Sequence, residues 1–175
     1  NSRLLAAGSD IQLRNQSLII PESDCSGEFF SMDNSHLSIE GQSAMVMPTG
    51  SSMTVFSGVV MDLENARFSG GNNLMLRNCT VNIGQGGIFT EYGRDLCLEN
   101  STVYIAKEAV MQSELCNILL RDTTITNDGF FFISGWNEIQ FSQQDSVIYN
   151  NGNAEICLPN DLIGESMIYN KGVLY

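Results

Sequence analysis

The sequence predicts an all-β fold, a single-stranded parallel β-helix, on three observations. The segments Leu74-Met75-Leu76-Arg77-Asn78-Cys79-Thr80-Val81, Leu96-Cys97-Leu98-Glu99-Asn100-Ser101-Thr102-Val103 and Ile118-Leu119-Leu120-Arg121-Asp122-Thr123-Thr124-Ile125 recur at 22-residue spacing. A fixed period of this size signals stacked repeats. Within each unit the apolar residues fall at i and i+2, the periodicity of a strand. A polar residue, Asn78, Asn100 or Asp122, then stops each run at the same place. Asn and Asp tolerate left-handed backbone angles and bond their own main chain, so they suit a sharp bend.

The first-strand trio extends both ways along the chain. Met53-Thr54-Val55 lies 21 residues before Leu74, and Ile139-Gln140-Phe141 lies 21 after Ile118. Leu37-Ser38-Ile39 and Ile156-Cys157-Leu158 fit at spacings of 16 and 17, and Ile11-Gln12-Leu13 at 26. A second strand follows each bend: Thr80-Val81-Asn82-Ile83, Thr102-Val103-Tyr104-Ile105 and Thr124-Ile125-Thr126. A third apolar stretch comes next: Ile88-Phe89, Val110-Met111 and Phe130 to Ile133. A leucine-rich repeat has a similar period, but it needs Leu at more fixed positions and a helical segment.

Three strands and three corners per 21–22 residues make one coil, and seven to eight coils are expected from the 175 residues. Coils about 4.8 Å apart would stack into a rod of roughly 35–40 Å. Right-handed winding is expected from the general handedness of parallel crossovers. The chain reads as one domain, with regular coils over 37–149 and irregular end coils or caps at 1–36 and 150–175.

The bends at Asn78 and Asn100 resemble the stacked asparagines of the right-handed parallel β-helix superfamily that includes pectate lyases; Asp122 departs from that habit. The resemblance spans about residues 53–147 and concerns the fold, which does not carry function. It implies comparison with that superfamily's enzymes, which use a calcium-binding acidic cluster with an Arg or Lys base, or several Asp with a His and an Arg. The outer face of the first strand here holds Arg77, Glu99 and Arg121 without an Asp cluster, and His36 lies near one end without an evident acid partner. Glycoside hydrolysis needs two carboxylates at a defined separation, and Glu91 with Glu114, or Asp95 with Glu114, are the pairs considered. No set of named catalytic roles assembles, so a non-catalytic protein is expected.

Composition narrows the partners. A net charge of −12 with eight basic residues argues against nucleic acid and anionic membranes, which need clustered Lys or Arg. No 18-residue apolar run is present, so no membrane span is expected, and no signal peptide is visible in this sequence. Five cysteines at irregular spacing, with one His, disfavour a zinc site. Free thiols are expected, with Cys97 and Cys116, 19 apart, the one pair placed for a bridge. No cofactor is expected. The acidic groups Asp62, Glu64, Glu91, Asp95, Asp122 and Asp128 could attract calcium, but no calcium-loop motif supports it.

Several surfaces are candidates for binding. Tyr92, Glu114 and Trp136 are spaced 22 and 22, so they should stack on one corner, with Glu91, Asp95, Asn117, Asn137 and Glu138 around them. Aromatic faces beside carboxylates and amides suit sugar rings. An outward row of Thr54, Met75, Cys97, Leu119, Gln140 and Cys157 has an apolar centre, which suggests an interface with a terminal segment, a second copy or a neighbouring domain. Arg77, Glu99 and Arg121 should form an outward charge ladder worth little. The Thr80, Thr102, Thr124 row reflects ordinary β-propensity beside a bend. Asn15-Gln16-Ser17, Asn78-Cys79-Thr80 and Asn100-Ser101-Thr102 match the N-glycosylation pattern, with Asn78 and Asn100 expected to point inward. The leading expectation is an extracellular or cell-surface β-helix that binds glycan. The alternative is a structural or adhesin-like stalk or assembly segment of a longer surface protein.

Overall fold

Alternating apolar residues and recurrent bends wind the chain through three parallel sheets. The computed structural model describes residues 4–19, 30–47, 53–71, 73–114, 117–134, 139–141, 145–156 and 167–175. The first sheet contains Leu4–Ala7, Phe30–Asp33, Met53–Ser57, Asn73–Arg77, Asp95–Glu99, Asn117–Arg121 and Ile139–Phe141. The second contains Asp10–Leu13, His36–Glu40, Val60–Glu64, Thr80–Ile83, Thr102–Ile105, Thr124–Asn127, Val147–Asn150 and Met167–Asn170. The third contains Leu18–Ile19, Ala44–Val46, Arg67–Ser69, Ile88–Tyr92, Val110–Glu114, Phe130–Ser134, Asn153–Glu155 and Val173–Leu174. The protein is therefore a parallel β-helix with three strands per turn, and the end segments carry coils of the same kind.

The rod has about six turns, slightly fewer than the seven to eight coils expected. Three expected first strands belong elsewhere. Leu37-Ser38-Ile39 and its partner Ile11-Gln12-Leu13 lie in the second sheet, where the 26-residue spacing is their true register. Ile156 follows the third-sheet strand Asn153–Glu155, and Cys157 and Leu158 lie outside the described residues. The apolar-x-apolar trio is common to all three sheets, so it does not say which one a strand joins. A left-handed residue ends each described first-sheet strand up to Arg121, but Gly41 and Asn65 end the second-sheet strands His36–Glu40 and Val60–Glu64 in the same way, so the bend does not tell these sheets apart either.

That corner is conserved in geometry from coil to coil. Gly8, Asn34, Gly58, Asn78, Asn100 and Asp122 all have positive φ, between 44° and 63°. Gly carries no steric penalty there, and Asn and Asp carry less than other residues. The amide N–H of each bend residue from Gly8 to Asn100 donates to the next coil: Asn78 to the Glu99 carbonyl at 2.9 Å, Asn100 to Arg121 at 2.8 Å. Asn100 Nδ2 also donates to Asn78 Oδ1 at 2.6 Å. Both side chains are exposed, against the inward orientation expected of them.

The inward place belongs to the next residue. Ser35, Cys79, Ser101, Thr123 and Ser146 are buried there. Ser101 Oγ accepts the Cys79 amide at 3.1 Å and lies 3.1 and 2.8 Å from the Leu76 and Glu99 carbonyls. Thr123 Oγ1 lies 3.0 and 2.9 Å from the Leu98 and Arg121 carbonyls. These small polar side chains satisfy main-chain groups that the bend removes from the ladder, which burial makes costly to leave unpaired. Cys79 fills the same place as a thiol, and burial pushes its pKa up.

The core is a column of inward side chains from all three sheets. Phe56, Phe68 and Phe89 pack in sequence, with ring centroids 6.0 and 5.2 Å apart, at separations typical of favourable aromatic pairs. Leu74, Leu76, Leu96, Leu98, Ile118 and Leu120 fill the first-sheet wall. Thr54 pairs with Leu74 and is buried, so Val55, beside Met75, takes the outward place expected for Thr54.

Candidate functional site

The third corner joins each third-sheet strand to the next first-sheet strand, and the sequence expectation placed its binding residues there. Tyr92 pairs with Glu114 in adjacent strands. Tyr92 is 48% exposed. Gln112 Nε2 donates to Glu114 Oε1, which holds that carboxylate along the sheet. These side chains, with Arg67, Ser69 and Thr90, line a cavity of about 280 Å³. It joins an aromatic face, a cation and several hydrogen-bonding groups, the mixed lining that orients a small polar ligand.

The expected aromatic stack is altered at its far end. The strand partner of Glu114 is Ser134, at a spacing of 20 residues, so the 22-residue row runs out at this coil. Trp136, Asn137 and Glu138 lie outside the described residues.

Glu91 lies on the opposite face of its strand from Tyr92. It is 1% exposed, and neither carboxyl oxygen has a hydrogen-bond partner. Burial pushes its pKa up to about 9, so the neutral acid is the resident form at neutral pH. Gly70 makes the room: a Cβ there would overlap Glu91 Oε2. In the neighbouring coils Ser113 and then Ile133 take the same inward place. Glu91 and Glu114 both line this cavity, Glu91 from the buried face of its strand and Glu114 from the more open one.

Asp95 opens a second cavity, on the first-sheet face. Asp95 pairs with Asn73 and Asn117, and Asn117 Nδ2 donates to Asp95 Oδ1 at 3.2 Å. With Met53, Met75, Cys97, Leu119 and Arg121 these groups line about 490 Å³. Met75, Cys97 and Leu119 sit side by side in register, so the expected interface row is contiguous. Cys97 is buried among them, and burial is the main cause of its raised pKa. Cys79 and Cys97 are free thiols, as expected, so the alternative of a Cys97–Cys116 bridge does not hold; Cys25, Cys116 and Cys157 lie outside the described residues. Beside this face, Arg77 Nε bonds Glu99 Oε2 at 3.1 Å. Both groups are partly exposed, so the pair adds little stability.

One polar cluster lies away from the corner. His36 does have acid partners: its Nε2 is 2.7 Å from Asp62 Oδ2 and its Nδ1 is 3.5 Å from Asp10 Oδ1. Asn82 Nδ2 donates to the other Asp62 oxygen at 2.7 Å. These residues sit in successive coils of the second sheet. Sequence spacing hides them, because the trios at 11–13 and 37–39 read as first-sheet strands. Among the described residues no group of three or more His, Cys, Asp or Glu side chains is arranged to hold a metal ion, and no helix is long and apolar enough to cross a membrane.

Fold and corner together define a parallel β-helix with a polar, aromatic-edged cavity on one ridge. Comparison with family models, curated proteins and solved structures finds no match to this chain.

Proposed function

We propose that this protein is a non-catalytic, carbohydrate-binding β-helix module of an extracellular or cell-surface protein. The observation that carries the reading is the third-corner cavity, where exposed Tyr92 stands beside Glu114, Gln112, Thr90 and Arg67. A tyrosine ring supplies an apolar face for a sugar ring. The carboxylate, amide, hydroxyl and guanidinium supply donors and acceptors for its hydroxyls. Asp95 and Asn117, around the corner, extend the polar surface in the next strands. The acidic chain disfavours anionic glycans, so neutral saccharides are the class proposed.

The test is a glycan-array screen of the purified chain beside Tyr92→Ala. A saturable hit lost in the variant, with melting unchanged, supports the reading. A blank for the wild-type protein overturns it.

The second reading is an assembly or stalk segment, favoured by the groove over Met75, Cys97 and Leu119. Sedimentation across a wide concentration range tests it. Self-association abolished by Leu119→Glu supports assembly, and a monomer throughout rejects it.

A further inference from the structure

One place in the inward row of the third sheet holds no side chain. Val46, Ser69 and Thr90 stand in register. The ladder continues one residue further, since Met47 N–H donates to the Ser69 carbonyl and Gly70 N–H to the Thr90 carbonyl. Met47, Gly70, Glu91, Ser113 and Ile133 therefore follow one another on the buried side of successive coils. At Gly70 the row has a gap, and the Glu91 carboxyl leans into it, because a Cβ on Gly70 would overlap Glu91 Oε2.

The corner cavity reaches this gap. Met47, Gly70 and Glu91 line it from the inward row, and Ser69, Thr90 and Gln112 line it from the outward face. It therefore wraps over the ridge of the corner, with the Glu91 carboxyl at its inner end. Neither carboxyl oxygen has a hydrogen-bond partner among the described residues, which is costly and rare for a buried polar group. Burial keeps the acid neutral, so it presents a hydroxyl donor as well as an acceptor. Beyond Gly70 the wall is apolar, made by buried Met47 with Val46 beside it. The charged side chains of the cavity, Arg67 and Glu114, stand on its outward face.

We propose that Glu91 is a ligand-binding residue of this corner, and that its partner is the acetamido group of an N-acetylated sugar. The inference rests on the carbohydrate reading and narrows it from neutral saccharides at large to N-acetylhexosamines. The acid O–H donates to the acetamido carbonyl, and the acetamido methyl covers the apolar wall at Met47 and Val46. The acetamido N–H points the other way across its amide plane, toward the oxygens of Thr90 and Glu114. Both Glu91 oxygens are closed to solvent, so the side chain turns about its own bonds past Gly70 to meet the ligand. A side chain at residue 70 would block that path. A plain hexose carries a hydroxyl where the acetamido group would be. It reaches less far and brings no methyl, so it leaves the acid unpaired. A site built to hydrogen-bond one group discriminates against the analogue that lacks it.

The probes are three matched pairs of methyl glycosides: N-acetylglucosamine with glucose, N-acetylgalactosamine with galactose, and N-acetylmannosamine with mannose. Each is titrated to tens of millimolar into the intact chain and followed by the amide chemical shifts around Tyr92 and Glu114. At least one acetylated sugar should bind about tenfold tighter than its plain partner, the scale of one buried hydrogen bond. Glu91→Gln still carries a donor and should keep that preference. Glu91→Met keeps the length, carries no donor and should lose it. The dispersion of the remaining amides shows that both variants are folded. Equal binding within every pair would overturn the inference while the carbohydrate reading stood. A preference that survives Glu91→Met, or is lost in Glu91→Gln, would overturn it too. If none of the sugars moves these amides, the carbohydrate reading of the corner fails and the inference with it.

Discussion

Replacing Glu91 with Gln should stabilise the protein at neutral pH, which is unusual for a change in a core column. The carboxyl is buried without a hydrogen-bond partner, and its pKa is pushed up to about 9 from an ordinary 4.5. Below the ordinary value the acid is protonated in both folded and unfolded chains, and it costs nothing through linkage. Between about 4.5 and 9 the unfolded chain ionises while the folded chain stays neutral, so stability falls as pH rises. Above about 9 both states are ionised and the loss is complete. Each pH unit in that window costs about 1.4 kcal/mol, so the loss is about 3 kcal/mol at pH 7 and about 6 kcal/mol across the window. Gln keeps the shape and never ionises. Urea denaturation of both proteins should give nearly equal stabilities at pH 4. The variant should be more stable by about 3 kcal/mol at pH 7, and by more at pH 8.5. Parallel pH profiles would refute the reasoning, because they require Glu91 to titrate alike in the folded and unfolded chains.

Other consequences can be checked by the same denaturation assay. Leu98→Ala should cost about 2–5 kcal/mol, since the side chain is fully buried between Leu76 and Leu120; a change under 1 kcal/mol would contradict that placement. Asn100→Ala should cost about 1–2 kcal/mol, because alanine is strained at φ 46°. Asn100→Gly should recover most of it, and equal losses would assign the effect to the amide bond with Asn78. Gly152→Ala should lower the melting temperature sharply, as the added carbon overlaps the Gly129 carbonyl; unchanged melting would mean that the coils separate there at little cost.

The coil was legible because its strongest determinants are local. Strand alternation and the left-handed corner each depend on one or two residues, and Asn78, Asn100 and Asp122 announced the corner three times over. Assignment of strands to sheets was less legible, since Leu37 and Ile39 alternate as any inward pair does. Glu91 was misplaced for a different reason. Phe89 and Glu91 share one face by simple alternation, so an inward Phe89 requires an inward Glu91. The charge of the residue outweighed its position, and Gly70, which makes the room, is 21 positions away in sequence. Asn-x-Gly stands at 127, 150 and 170 in the sequence, but only the strand register stacks the three asparagines. Half of the candidate corner was readable in Tyr92 and Glu114. The shorter offset to Ser134 was not, because nothing in the local pattern shows where a loop loses two residues.

The left-handed first corner divides the rod into a part that resists change and a part that absorbs it. Two residues join the first sheet to the second in each of six coils, from Gly8-Ser9 to Asp122-Thr123. Each pair must supply a positive φ and then a small inward side chain, so a single inserted residue would turn the second-sheet strand that follows it to the wrong face. The third corner has no such two-residue constraint, and its links run from Gly93-Arg94 to the ten residues between Ile19 and Phe30. Length variation can therefore accumulate along that one ridge without disturbing the column beneath it. A lineage of such proteins could exchange its ligands by lengthening loops there, while the bend residues and their buried neighbours stayed the same.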